Sequence, residues 1–182
     1  MSECVTLDPQ GRERNRRMDV TTNKHRIAWH EAGHAVVGRH LGMPLTMVSI
    51  WQTKYTRPNG STFKMWVGEA RGDYGSLSTH DQRVTSVAGA VAVYCWYEET
   101  SEKPDFEILI DWMSPADWTI DDVEHDPDTM SEAEEALWYK AMWQAYALLN
   151  RTNGPLWREL KREANKVIRK RFVSTLNIRA AA

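Results

Sequence analysis

Two histidines and a glutamate stand at a spacing that suits metal chemistry, in the run His30-Glu31-Ala32-Gly33-His34. On a helix of about 3.6 residues per turn, side chains four apart face the same way, so both imidazoles could hold one Zn²⁺. Glu31 would then lie beside the metal and could take a proton from a water that the metal activates. The plainer alternative is a pair of histidines on a polar helix face with Glu31 as a solvated charge. Catalytic zinc takes three protein ligands and keeps a fourth position open. A third donor must therefore come from elsewhere in the chain.

The element that has to position this run is a helix over Lys24 to Leu41. Thr22 or Asn23 could cap its start. Ile27, Ala28, Ala35, Val36, Val37 and Leu41 give it a broad apolar surface, and Gly42 with Pro44 marks its end. Gly33 either lets another segment pack close to the metal helix or is simply tolerated there.

From the residues alone the third ligand stays open. His40 follows His30 by ten residues, the distance at which metzincin proteases place a third histidine. That arrangement needs a glycine three residues before the third histidine. Here Val37 stands at that position and Gly38 is one place late. In a continuing helix His40 lies about 15 Å along the axis from His30, too far to share an ion. The other options are carboxylates: Glu98 and Glu99 at the end of a second helix, and Asp117, Asp121 and Asp122 in a third. Asp117 has an ordinary reason for its place, since an acid three residues after a serine cap stabilises a helix start.

The remaining elements follow in order. Thr46 to Trp51 reads as a strand, Arg57-Pro58-Asn59-Gly60 as a turn, and Thr62 to Val67 as a strand pairing back. A glycine-containing loop, Gly68 to Gly75, leads to a second helix capped near Ser78 or Thr79, with Gln82 in capping-box register. That helix ends near Trp96 or Glu98, and Ala88-Gly89-Ala90 makes one side of it small. Thr100 to Asp111 is a connection. Ser114-Pro115-Ala116-Asp117 opens a third helix, with proline at its first position, that ends at Asp126-Pro127. Ser131 and Glu134 open a fourth helix running to Asn150, and a basic amphipathic fifth spans Pro155 to about Phe172. The expected class is mainly α with a small β-hairpin or sheet after the first helix.

A chain of 182 residues with a net charge of −2 is enough for one domain, and its charge gives no reason to expect nucleic acid or an anionic membrane as partner. The two cysteines, Cys4 and Cys95, are far apart, so no disulfide framework is expected and a reducing cytoplasm is the default. No apolar run reaches the ~18 residues of a spanning helix. Residues 1–22 read as a polar, flexible tail without a signal-peptide core. The nine tryptophans predict either a tryptophan-rich core or an aromatic-lined substrate groove.

The run His30 to Gly38 resembles the zinc-binding helix of FtsH-type peptidases, the proteolytic half of membrane-anchored AAA proteases. Val48-Ser49-Ile50 is similar to the strand that follows this helix in that family, and Ala88-Gly89-Ala90-Val91-Ala92 to a later core helix. Ser114-Pro115-Ala116-Asp117 resembles the Ser-x-x-Asp helix start that carries the family's third ligand, and Ala147 to Arg151 its C-terminal helix pair. The likeness covers about residues 24–172. It implies a zincin-like peptidase domain over 23–175, with a further tail at 176–182. His30, His34 and Asp117 would be the zinc ligands and Glu31 the general base. The substrate would be a polypeptide, with a separate AAA ATPase or self-oligomer as possible partner.

The departures are equally specific. No Gly-x-x-x-x-Gly-Lys-Ser/Thr run occurs, so the chain carries no phosphate-binding loop of its own. The loop Thr53 to Thr62 lacks the family pattern, and Trp118 rather than a small aliphatic residue follows Asp117. A free-standing peptidase domain without an ATPase or membrane span is therefore expected. The strand Met47 to Trp51 could pair with an extended substrate. Two rival readings are a non-catalytic interaction protein with a structural zinc and a zinc hydrolase acting on something other than protein.

Overall fold

Helix α1 (Val20–His40) packs against a second long helix, a C-terminal helix and a β-hairpin, and every residue from 28 to 38 is buried. The computed structural model describes residues 20–56, 60–99, 106, 109–121 and 123–170. The helix begins before Thr22 and Asn23, which therefore lie inside it rather than capping it. It ends as its glycine predicts. Gly42 adopts φ 95°, its N–H bonds to Arg39 O, and the Met43 N–H reaches back to Gly38 O at 2.8 Å. A left-handed residue there turns the chain out of the helix and satisfies its last carbonyls.

The hairpin pairs β1 (Leu45–Thr56) with β2 (Thr62–Gly72), in register from Thr56 opposite Thr62 to Met47 opposite Arg71, with an irregularity before Leu45 opposite Gly72. Both strands outrun their expected lengths. Gly68 to Gly72 belong to β2 rather than to a loop. Of the expected turn, Arg57, Pro58 and Asn59 lie outside the described residues. Val48 and Ile50 face inward and pack with Ala28 and Ala35 of α1 and Val167.

A single 3₁₀ turn, Tyr74–Ser76, leads into α2 (Thr79–Glu99). Ser78 caps this helix together with Asp81, whose N–H bonds to Ser78 Oγ at 3.2 Å. Gln82 is therefore free for another task. Val84, Val87, Val91 and Ala92 of α2 meet Val36 and Val37 of α1 in the main core. The two helices are close because Gly33 has no side chain; a Cβ there would lie 2.7 Å from Ala92 Cβ and against the Ala88 carbonyl.

The expected third helix does not form. After a short helical turn, α3 (Leu109–Trp112), Pro115–Trp118 makes one 3₁₀ turn and gives way to a second small hairpin, β3 (Thr119–Ile120) with β4 (Val123–Glu124). The β-branched pair Thr119-Ile120 favours extended backbone. Asp121 at the turn has φ 50°, a left-handed conformation that ends any helix. Trp118 is buried against Trp138, with ring centroids 4.7 Å apart.

Helix α4 (Glu132–Leu149) starts with the predicted capping box: the Ser131 N–H bonds to Glu134 Oε2 at 3.0 Å and the Glu134 N–H to Ser131 Oγ at 3.4 Å. Asn150 closes its far end. It donates to Tyr146 O and Ala147 O, and its Oδ1 accepts from Thr152 and Asn153. Helix α5 (Trp157–Arg169) begins two residues later than expected and lies on α1, where Arg39 pairs with Glu159 and Glu163. The structure is mainly helical with small antiparallel sheets, and no helix among the described residues is long and apolar enough to cross a membrane. Residues 1–19 and 171–182, with most of the expected tails, lie outside the described set.

Candidate metal centre

His30, Glu31 and His34 are polar side chains in the buried stretch of α1, where polar groups require partners. The partner comes from a segment 83 residues beyond His34 in the chain. Asp117 Oδ1 lies 3.1 Å from His34 Nε2, and Asp117 Oδ2 lies 3.3 Å from His30 Nε2. The two Nε2 atoms are 3.0 Å apart. Among the described residues this is the one group of three metal-ligating side chains whose donor atoms all lie within 4.8 Å of one another.

Each donor is held from behind. His34 Nδ1 donates to Thr85 O at 2.8 Å, which leaves Nε2 as the atom facing the group. Asp117 Oδ2 accepts the Ser114 N–H at 2.6 Å, so the same carboxylate caps its own 3₁₀ turn. That turn is tied to α2. Gln82 Nε2 donates to Asp121 Oδ1 at 2.7 Å, Gln82 Oε1 accepts the Asp121 N–H, and Thr79 Oγ1 donates to Asp121 Oδ2. The side chain that the sequence places in a capping box thus straps the Asp117 segment onto the helix pair.

Charge follows from this packing. Burial works against charge on His34, but the Asp117 carboxylate, aided by Glu31, more than offsets it and lifts the imidazole to about 9. Burial likewise opposes ionisation of Asp117, yet His34 and His30 hold its carboxyl well below the usual carboxylate range. The negative potential that favours a proton here favours a divalent cation in its place. Burial pushes Glu31 up, against the opposing pull of the two histidines. A carboxyl shifted in that direction is better matched to proton transfer near neutral pH.

The residues present fit a zinc ion. Two imidazole nitrogens and one carboxylate form a donor set that zinc accepts. The two imidazole nitrogens are 3.0 Å apart, and each faces a different oxygen of Asp117, at 3.1 and 3.3 Å, so the donors are gathered closely enough to share one ion. The space around the donors is kept clear by glycine. A Cβ at Gly89 would sit 2.7 Å from His30 Nε2 and closer still to His34 Nε2. A Cβ at Gly68 would sit 2.7 Å from Glu31 Oε1.

The group forms the base of a cleft of about 610 Å³, whose walls include Glu31, the β2 residues Gly68 to Ala70, and Tyr74. β2, not β1, is the strand beside the site: Gly68, Glu69 and Ala70 line the cleft and no described β1 residue does. The other candidate ligands are elsewhere. His40 is exposed at the end of α1. Glu98 accepts from Tyr146, and Glu99 pairs with Lys161 at 2.7 Å. Asp121 is in the cleft wall but held by Gln82 and Thr79, and Asp122 lies outside the described residues. No tryptophan lines the cleft. Trp29, Trp118 and Trp138 are buried, and Trp66, Trp96, Trp112 and Trp157 pack on the core clusters.

Sequence reasoning missed Gly68, Gly89, Tyr74 and the Gln82–Asp121 strap as parts of the site. Only Gly89 carried a signal, as part of a small helix face. No protein-family model matches the chain, and no curated protein matches it.

Proposed function

We propose that the protein is a zinc-dependent peptidase, with His30, His34 and Asp117 as ligands and Glu31 as general base. One observation carries this reading: three buried donors converge at the base of a cleft, with Glu31 beside them and no fourth ligating side chain in the group among the described residues. A structural zinc is ordinarily closed by four protein ligands. Three donors and an open side support catalysis over a structural role.

A zinc ion held there supplies an acidified water and a Lewis acid for a carbonyl oxygen. Glu31 takes the proton from the attacking water and returns it to the leaving amine. His34, fixed through Thr85, keeps Nε2 directed at the group. Gly68 lets the Glu31 side chain lie against β2, in a place that any Cβ would fill. Among the described residues β2 is paired on one edge only, so Gly68 to Ala70 could hydrogen-bond an extended polypeptide across the cleft. The same residues support the FtsH-type, zincin-like reading, with unfolded polypeptide as substrate and its supply by a separate ATPase or by self-assembly.

The test is hydrolysis of casein and of quenched fluorescent peptides before chelation, after it, and after zinc is restored. Cleavage should be lost with the metal and return with about one zinc per chain. Cleavage that survives complete removal of the metal would refute the reading.

A further inference from the structure

The cleft contains a donor that the proposed roles do not use. Tyr74 opens the 3₁₀ turn between β2 and α2, and this turn is fixed on both sides. The Asp73 N–H bonds to Pro44 O at 3.0 Å, the Leu77 N–H to Tyr74 O at 3.0 Å, and Ser76 Oγ to Asp73 O at 2.7 Å. The phenol is thereby held in the cleft wall with His30, Glu31, His34 and Asp117.

Its hydroxyl makes no hydrogen bond to a described residue, although the side chain is partly buried in the cleft wall, where a tyrosine hydroxyl usually finds a partner. The neighbouring polar groups are engaged: Gln82 with Leu77 O and Asp121, and the Ser114 N–H with Asp117. Burial, followed by the carboxylates of Asp117 and Glu31, raises the phenol well above its ordinary value. Tyr74 is thus a neutral, unused O–H donor in a site where the other close groups are bases or acids.

We propose that Tyr74 donates this hydrogen bond to the carbonyl oxygen of the scissile peptide and to the oxyanion that this oxygen becomes. The inference rests on the peptidase reading above. In the step, the water oxygen bonds to the carbonyl carbon while its proton passes to Glu31. The carbonyl π pair moves onto oxygen, where the Tyr74 O–H meets it. The pair then returns, the C–N bond breaks, and the amine leaves with the proton from Glu31. Tyr74 keeps its own proton throughout. Because the donor matches the tetrahedral state better than the planar substrate, it acts on turnover more than on binding.

The test compares zinc-loaded wild type with Tyr74→Phe, which removes one oxygen atom and leaves the ring. With a quenched peptide substrate, kcat should fall on the order of 10²–10³-fold with KM within a few-fold. Binding of a phosphinic peptide, whose tetrahedral oxygens stand in for the oxyanion, should weaken by a similar factor in calorimetry. Zinc content and melting temperature should stay as in wild type. Equal turnover and equal phosphinate binding in the two proteins would overturn the role of Tyr74 and leave the peptidase reading intact. Loss of zinc from Tyr74→Phe would overturn it as well, assigning the phenol to metal retention. A wild type that neither holds zinc nor cleaves would remove the peptidase reading, and this role with it.

Discussion

Gly89 contributes no atoms to chemistry, yet the site depends on it. A methyl group there would press on both imidazoles at the edge that faces the metal position. In an ordinary helix interior Gly→Ala adds about 1 kcal/mol of stability. Gly89→Ala is instead expected to weaken zinc binding more than tenfold while circular dichroism still shows a helical protein; a competitive zinc titration measures this. Asp117→Ala removes one of three donors and should abolish stoichiometric zinc binding, which atomic emission on the purified protein would show. Residues with a mechanism written into their spacing were readable in advance: His30, Glu31 and His34 need only a helix. Asp117 was reached through the resemblance of Ser114 to Asp117, since its spacing equally describes a plain helix cap. In the structure it accepts the Ser114 N–H and also faces both histidines, as a cap and the proposed ligand would. Tyr74 and Gly68 were not readable, because nothing local in sequence says that β2 extends to Gly72 and folds over α1.

At the scale of elements, two close contacts decide whether the site exists. The first is α1 on α2 at Gly33, where a side chain would meet the backbone carbonyl of Ala88. Backbone cannot swing aside as a side chain can, so Gly33→Ala should destabilise the fold by about 1–3 kcal/mol, seen as a lower midpoint in urea. The second is the strap from Gln82 to Asp121, which holds the 119–124 hairpin and with it Asp117. Gln82→Ala should leave the helices in place and cut zinc affinity about tenfold or more, as loss of a supporting contact does. An unchanged affinity would show that Trp118 packing alone positions Asp117. Helices α2 and α4 were legible from their caps, and α1 and α5 from the glycine and proline breakers beside them, while the caps expected for α1 lie inside it. The helix expected after Ser114 was not realised, because a sound N-terminal signal says nothing of how far a helix runs. Thr119, Ile120 and the left-handed Asp121 ended it after one turn.

For the molecule as a whole, the proposed ligand set joins helix α1 to a turn some 80 residues later, so a bound metal should act as a staple. A ligand at 100 times its Kd adds about 2.7 kcal/mol to the folded state. For a chain of this size that corresponds to a rise in Tm of roughly 5–10 °C, and calorimetry with and without chelator would register it. Cys95 offers an independent gauge of integrity. It is fully buried, and its thiol is pushed well above the ordinary range by burial and by the Glu98 charge. In a Cys4→Ser background it should react with a thiol reagent only as the protein unfolds. The most direct test of the central claim is the rate of peptide cleavage by Glu31→Gln when it carries the same one zinc per chain as wild type. A fall of at least about 10²-fold at full zinc occupancy is the predicted result, since the base is lost and the metal is not. Cleavage at the wild-type rate by the zinc-loaded variant would contradict it.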